Sequence, residues 1–162
     1  MLRIHLYGLC VWLCLALPWS AMAQTMVIGG GLQIGDDQKL MFEAARQVMQ
    51  HDYQGAQVTY SKAIAINGQN IDAYLQRGIV RRELGDAAGT AFDGNRAVLL
   101  ANAALQGSTN NPNLYYQRGM GFRLLKNFNQ AKQDIRTGMQ LGGSQNWQLD
   151  LQAIELEQRA AR

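Results

Sequence analysis

The sequence predicts an all-α protein, a solenoid of about three helix-turn-helix repeats followed by a capping helix. The first observation is an internal repeat: the segment AYLQRG at 73–78 returns 41 positions later as LYYQRG at 114–119. The second is that, from Lys39 onward, apolar and small residues recur at helical spacing, with a break about every dozen positions. Repeats of this size are typical of solenoids, in which stacked units share one core.

Residues 1–23 have the features of a cleaved secretory signal. A weakly basic start with Arg3 and His5 is followed by an apolar stretch from about 6 to 17, then by Pro18 and a small-residue pattern at 21–23. The apolar stretch is shorter than the roughly 18 residues of a membrane-spanning helix. We therefore expect export, with no membrane insertion after cleavage. An uncleaved anchor is the alternative.

Residues 24–37 are predicted to form a flexible Gly-rich leader. Within them, the segment VIGGG at 27–31 is superficially similar to the opening of a dinucleotide-binding motif. Such a motif also needs a preceding strand, a correctly spaced third glycine and an acidic residue about 20 positions later in a βαβ unit. That context is missing, so we expect a plain linker and no cofactor.

Composition limits the classes of partner. Cys10 and Cys14 are the two cysteines of the chain, and both fall in the predicted signal. The mature chain from Gln24 would therefore need no disulfide in an oxidising compartment, and it is long enough for one domain. The formal charge of the whole sequence is only +3, and its basic residues are spread out. Nucleic acid is not an expected partner.

Three helix pairs are predicted in order: 39–51 with 53–67, 71–84 with 87–102, and 112–126 with 129–141. Gly68, Gly85 and the pair at 142–143 fall where helices should stop, and Pro112 suits a first helical turn. These pairs define unit one (38–70), unit two (71–111) and unit three (112–143). A last helix at 145–160 is predicted to cap the solenoid, within residues 144–162.

The repeat spacing is uneven, 34 positions from unit one to unit two but 41 from unit two to unit three. Seven extra residues correspond to about two helical turns. The run 97–105 contains no helix breaker, which predicts an extended second helix in unit two followed by a loop at 107–111. We expect this insertion to tilt unit three relative to unit two.

The repeated pattern resembles the tetratricopeptide repeat (TPR) family, whose unit is about 34 residues of helix-turn-helix. The resemblance covers about residues 37–143 and implies a right-handed α-solenoid. Unit one departs from the family pattern with Leu40 at the aromatic place, and unit two departs with Thr90 and Gly94. The matching residues are Tyr115, Gly119, Phe122, Phe128, Ala131 and Ile135 in unit three, Tyr74, Gly78, Gly85, Asp86 and Ala97 in unit two, and Ala44, Asp52, Tyr53, Ala56, Tyr60 and Ala63 in unit one.

Two oppositely charged pairs recur with the repeat. Asp93 follows Arg77 at the same interval at which Asp134 follows Arg118. In a helical hairpin this spacing can bring the two side chains together, as in the arginine-glycine variant of the family that the pattern resembles. We expect an ion pair within each unit, and the alternative is an arginine that binds a ligand.

The resemblance implies a protein-interaction scaffold whose concave face is lined by the first helix of each unit. Arginine offers a rigid donor fork for a carboxylate, and methionine adapts to varied apolar surfaces. We therefore expect a peptide or a partner helix in this groove, with one acidic or C-terminal group held by Arg82 and Arg123. The alternative is that the arginines are solvated and the apolar positions cover neighbouring helices. The candidate residues are Leu75, Ile79, Arg82, Tyr116, Met120 and Arg123, with Met41, Ala45, Val48 and Met49 in unit one.

Catalytic and metal-binding residues are not expected. His51 is the only histidine after residue 23, and no cysteine, histidine pair or carboxylate cluster offers a metal site or an activated nucleophile. Glu83, Asp150, Glu155 and Glu157 are interpreted as solvated helix faces, and Trp147 as core packing. By analogy with signal-bearing repeat proteins, we expect an adaptor in the bacterial periplasm or secreted. The alternative is a self-associating structural subunit of an envelope or secretion assembly that uses the solenoid ends.

Overall fold

The computed structural model describes residues 35–161, and within that range the chain forms seven helices and no strand. Consecutive helices pack together along the chain, and α3 also contacts α5. The predicted all-α helical-repeat solenoid is confirmed for these residues. The helices are α1 (Asp36–Met49), α2 (Tyr53–Ile66), α3 (Ile71–Glu83), α4 (Ala87–Gly107), α5 (Pro112–Leu124), α6 (Phe128–Gln140) and α7 (Trp147–Ala160).

The predicted signal and the leader up to residue 34 lie outside the described residues. The helix α1 begins at Asp36, so the last two residues assigned to the leader are helical. None of the seven helices in the described range is both long and apolar enough to cross a membrane.

Side-chain caps fix where several helices begin. Asp52 and Asp86 each accept a hydrogen bond from a backbone amide in the first turn of α2 and α4. Asn70 and Asn111 do the same for α3 and α5, and Pro112 occupies the first turn of α5 as predicted. Each cap satisfies an amide that has no partner within its own helix, which typically stabilises by about 1 kcal/mol.

The turn between the two helices of each unit uses one left-handed residue at the same repeat position. In unit two this residue is Gly85, with φ of 76°. His51 in unit one and Lys126 in unit three hold φ of 61° and 58°. The sequence predicted only the glycine, because histidine and lysine rarely adopt this conformation.

Each apolar cluster of the core includes residues from the helix that follows its unit. Ala56 and Tyr60 of unit one pack with Val80 from α3. Tyr74 and Leu100 of unit two pack with Leu124 from α5. A unit on its own would therefore leave apolar surface exposed, as expected for a stacked repeat architecture. The third cluster consists of Ala131, Ile135, Leu151 and Ile154 and joins α6 to α7.

The insertion in unit two lengthens α4, as predicted. This helix has 21 residues, against 14 in α2 and 13 in α6. Its added turns bury Ala101 and Leu105 before the helix ends at Gly107. The extra residues therefore contribute apolar contacts in a continuous helix, and unit three begins beyond them at Asn111.

The two predicted ion pairs are present. The guanidinium of Arg77 donates to both carboxylate oxygens of Asp93, at 3.0 and 2.7 Å. Arg118 donates to Asp134 in the same bidentate manner, with both distances 2.7 Å. Asp93 is fully buried and also accepts a hydrogen bond from Arg81 at 2.9 Å. We call these two ion pairs the charged clasps. Each one joins the first helix of its unit to the second.

Candidate functional site

Arg82, Arg123 and Glu157 occupy equivalent positions on the first helices α3 and α5 and on α7. The interval from Arg82 to Arg123 is the longer repeat spacing of the chain, and the interval from Arg123 to Glu157 is the shorter one. Because solenoid units stack in register, these side chains form a row across one surface, which we call the charged row. The helix α7 therefore continues the series as the first helix of a fourth unit.

Arg123 is paired within the protein. Its guanidinium donates to the two carboxylate oxygens of Glu157 at 2.7 and 3.2 Å. A second carboxylate, that of Asp150, lies 3.6 Å away. The hydrogen bond from Arg123 holds the pKa of Glu157 below its ordinary value. The interpretation of Asp150 and Glu157 as solvated helix faces is therefore wrong, because both carboxylates contact Arg123 at the surface between α5 and α7.

Arg82 is held much more loosely. Its nearest carboxylate contacts are 3.6 Å to Glu83 and 3.8 Å to Glu157, beyond hydrogen-bond distance. The side chain is 42% exposed. Of the two arginines of the charged row, Arg82 is the one that presents its guanidinium to solvent.

Tyr116 lies beneath the beginning of α7. Its ring stacks on Trp147, with the two centroids 4.4 Å apart and the planes 14° from parallel. Its hydroxyl donates to Asp150 at 3.0 Å, again one repeat spacing away. Burial, reinforced by the negative charge of Asp150, raises the pKa of Tyr116 to about 12. Trp147 packs in the core, and Tyr116 is half-covered by the chain's own last helix.

The apolar candidate residues pack between α3 and α5. Leu75 is buried, and Ile79 and Met120 are half-buried beside it. Together with Arg82 and Arg123 they line a cavity of about 20 Å³. That volume suits about one water molecule and no larger ligand. The structure therefore brings five of the six candidate residues together around this cavity, and Tyr116 is joined to Arg123 through the shared carboxylate of Asp150.

A larger cleft opens at the end of the charged row. Its volume is about 520 Å³. Three cations, Arg82, Arg123 and Lys126, face one carboxylate, Glu157, across an apolar floor that includes Leu124 and Phe128. The ends of five helices also meet here, two N-terminal and three C-terminal, so that one C-terminal partial negative charge is left uncompensated. Among the lining residues the cations outnumber the carboxylate three to one, and Glu83 and Asp150 lie just outside the lining, 3.6 Å from Arg82 and Arg123 respectively.

Sequence reasoning missed Lys126, Asp150 and Glu157 as parts of this site. A signal for the two acids was present, since they follow the candidate residues Tyr116 and Arg123 by the shorter repeat spacing. Finding it requires that the capping helix be counted as a repeat position. Lys126 had no comparable signal, because its place in the cleft depends on the left-handed turn that ends α5.

No protein-family model matches the chain, and no curated protein matches it in sequence. Solved structures do match. The Sgt2 TPR domain from Aspergillus fumigatus has a TM-score of 0.52 and 18% identity, over 79% of this chain and 82% of that domain. The first TPR of Spaghetti (RPAP3), solved bound to the HSP90 peptide SRMEEVD, has a TM-score of 0.51 and 20% identity, over 78% of this chain and 98% of that one. The chain therefore has the fold of TPR domains.

Proposed function

We propose that this protein is an exported scaffold that binds a segment of a partner protein on its concave face, with an acidic group of the partner in the cleft beside Arg82. The carrying observation is the cleft itself, in which Arg82, Arg123 and Lys126 outnumber Glu157. Its volume of about 520 Å³ lies in the range of ligand sites, roughly 300–1,000 Å³. The likeness to a TPR domain that binds a peptide supports a protein partner.

The two arginines have different roles in this proposal. A partner carboxylate can reach Arg82 directly, because that guanidinium is exposed and makes only long contacts with carboxylates. To reach Arg123 it would have to displace Glu157 from a bidentate pair. The acidic group therefore lies between Arg82 and Lys126, and Arg123 holds α7 in place beside it.

Export is proposed from the sequence of residues 1–23. The compartment is the bacterial periplasm or the medium outside the cell. Cell fractionation followed by mass measurement of the intact protein tests it, and an exported chain that starts at Gln24 is the expected result. A chain that keeps residues 1–23 and stays in the membrane fraction would support the anchor instead.

The binding proposal is tested by in-cell crosslinking, with a photoreactive amino acid placed at position 87, an exposed helical position in the cleft. The wild type is compared with Arg82→Glu/Lys126→Glu and with a charge-matched control, Lys62→Glu/Arg136→Glu, whose cations are exposed elsewhere. Circular dichroism checks that all three fold alike. We expect at least a tenfold loss of the crosslinked partner in the cleft variant and little change in the control.

Two outcomes would contradict the proposal. Equal loss in both variants would mean that net charge, and not the cleft, attracts the partner. Crosslinks to a second copy alone, with a concentration-dependent mass in light scattering, would replace the scaffold with the self-associating subunit.

A further inference from the structure

The outer side of α7 carries an apolar face that no helix covers within residues 35–161. Leu149 and Leu156 lie two turns apart and are 69% and 65% exposed. Ala153 lies between them on the same side of the helix. We call these three residues the end face. Phe92 and Leu99 of α4 are exposed at the same spacing, so exposure alone does not identify a binding surface.

The register of the repeats shows which surface the end face corresponds to. Leu149, Ala153 and Leu156 follow Tyr115, Gly119 and Phe122 of α5, each by the same shorter repeat spacing that separates Glu157 from Arg123. In unit three those α5 residues are the ones that α6 covers. A Cβ added at Gly119 would lie 3.0 Å from both the Ala131 carbonyl and the Ile135 side chain.

In the contact between α5 and α6, large side chains of one helix pack against small residues of the other. Along α5 the order is large, small, large, and along α6 it is small, large, small, at Ala131, Ile135 and Gly138. Ile135 packs into the space left by Gly119, and a Cβ added at Gly138 would be 3.6 Å from the Cβ of Tyr115. The two antiparallel helices can therefore approach closely.

The end face repeats the large, small, large order of α5, with Leu149, Ala153 and Leu156. We propose that it binds an amphipathic helix of a partner protein, antiparallel to α7, in the position that α6 takes on α5. The bound helix presents a small residue, a large apolar residue and a second small residue at i, i+4 and i+7. This inference concerns a different surface from the charged cleft and does not depend on it.

The charged clasp of units two and three is not repeated at this position. Arg118 of α5 corresponds to Gln152 of α7 in the same register. A carboxylate on the partner helix at the place of Asp134 would therefore lack its bidentate arginine. An uncharged residue that can form a hydrogen bond with the Gln152 amide is expected there.

A second copy of α7 fits less well than such a helix. An antiparallel pair of α7 helices would set leucine against leucine and leave Ala153 facing another small residue. Shape complementarity of the kind formed by α5 and α6 would be lost, with a void at the centre. The observations therefore favour a partner helix with the size order of α6 over a symmetric dimer.

The probe for a test is a peptide with the sequence of residues 127–142 and the change Asp134→Asn, which carries Ala131, Ile135 and Gly138 and an uncharged group opposite Gln152. A lactam bridge between positions 129 and 133, both exposed in α6, keeps it helical. The peptide is titrated into the intact protein, and nuclear magnetic resonance shifts of α7 amides report binding. We expect saturable shifts centred on Ala153, and no shifts with the Ile135→Asp peptide.

Protein variants locate the contact. Leu149→Asp/Leu156→Asp is expected to weaken peptide binding at least tenfold. The control Phe92→Asp/Leu99→Asp changes two large apolar residues of α4 that are 56% and 57% exposed, and it is expected to bind like the wild type. Ala153→Leu stays apolar but fills the space for the large residue of the probe, so it too is expected to lose binding.

Several results would overturn the proposal. Binding that survives Leu149→Asp/Leu156→Asp would mean that the peptide displaces α6 from α5 instead. Binding that survives Ala153→Leu would reduce the end face to a non-specific apolar surface. Absence of shifts at millimolar peptide would mean that the end face binds no such helix. A dimer that the Leu149→Asp/Leu156→Asp change dissociates would mean that a second copy of the protein binds there.

Discussion

Arg123 and Glu157 form a bidentate ion pair between two helices that are one repeat spacing apart, with hydrogen bonds of 2.7 and 3.2 Å. The sequence had assigned Arg123 to the acidic group of a partner. The pair instead fastens α7 to α5 and leaves Arg82 as the exposed cation of the charged row. The charge of the last helix therefore decides which arginine a partner can reach.

Removal of this pair should weaken α7 in a pH-dependent way. Glu157→Gln is expected to lower the free energy of unfolding at pH 7 by about 1 kcal/mol, a modest value because the pair is partly solvated. The pKa of Glu157 is lowered from its ordinary 4.5 in the folded protein. The stabilisation is therefore fully present above about pH 4.5 and is lost as the pH falls through the lowered pKa.

Urea unfolding of the wild type and Glu157→Gln at pH 7 and pH 3 measures this effect. The difference between the two proteins should be largest at pH 7 and should shrink as the pH falls toward 3. Glu155→Gln is the matched control, because its carboxylate is 3.6 Å from an exposed arginine and should contribute little. A constant difference across this pH range would mean that the side chain acts by packing and not by charge.

The two charged clasps should differ in strength. Asp93→Ala is expected to destabilise by about 3–5 kcal/mol, because it leaves the buried Arg77 without a carboxylate and also removes the partner of Arg81. Asp134→Ala should cost less, about 1–2 kcal/mol, because Arg118 is partly exposed and water can solvate it. Chemical denaturation of both variants gives the ranking.

A double variant separates charge from packing in unit two. Arg77→Met/Asp93→Leu replaces both groups with apolar side chains and should recover part of the stability that Asp93→Ala loses. Equal costs for Asp93→Ala and Asp134→Ala would show that the difference in burial has no energetic consequence.

The repeat units could be predicted from the sequence because their signals are local and recur in phase. Arg118 and Gly119 come within one helical turn of Tyr116. A short repeated segment therefore contains both the small residue at the helix contact and the arginine of the charged clasp. The partners of α7 could not be predicted in this way, because its acids match Tyr116 and Arg123 only after α7 is counted as a first helix. The left-handed His51 could not be predicted, because histidine rarely adopts a positive φ and no neighbouring glycine marks the turn.

Glycine substitutions should show how closely the helices approach. Gly119→Ala would place a Cβ 3.0 Å from the backbone oxygen of Ala131, which cannot move without shifting α6. Overpacking of about 1–3 kcal/mol should outweigh the gain in helix propensity of about 1 kcal/mol. At Gly78 the nearest atom, 2.7 Å away, is the tip of the Leu124 side chain, which can rotate. The Cβ of the fully buried Asp93 also lies 3.2 Å away, so Gly78→Ala should cost less than Gly119→Ala without being neutral.

Thermal unfolding of the two alanine variants tests this order. A stability loss in Gly78→Ala as large as that in Gly119→Ala would mean that Leu124 is held rigidly by its neighbours. Gly85→Ala is a useful third variant, because its φ of 76° is strained for alanine although no atom lies within 4 Å of the new Cβ.

The contact of Tyr116 with Trp147 and Asp150 should appear in an alkaline titration. In the folded protein the pKa of Tyr116 is raised from 10.0 to about 12, so the unfolded chain loses this proton first. The contribution of the protonated Tyr116 to the free energy of unfolding is therefore fully present below pH 10 and is lost as the pH rises through about 12. Absorbance at the tyrosinate band should show a late phase that Tyr116→Phe removes.

Tyr60 also has a pKa raised by burial, so the late phase needs an assignment. Asp150→Asn provides it, because loss of the carboxylate charge should lower the pKa of Tyr116 and leave that of Tyr60 unchanged. The pKa of Tyr116 should still exceed its ordinary value, since burial beneath Trp147 is the larger cause of the shift. Trp147→Ala should remove that larger part by exposing the ring. A late phase that is indifferent to both changes would mean that α7 does not cover Tyr116 in solution.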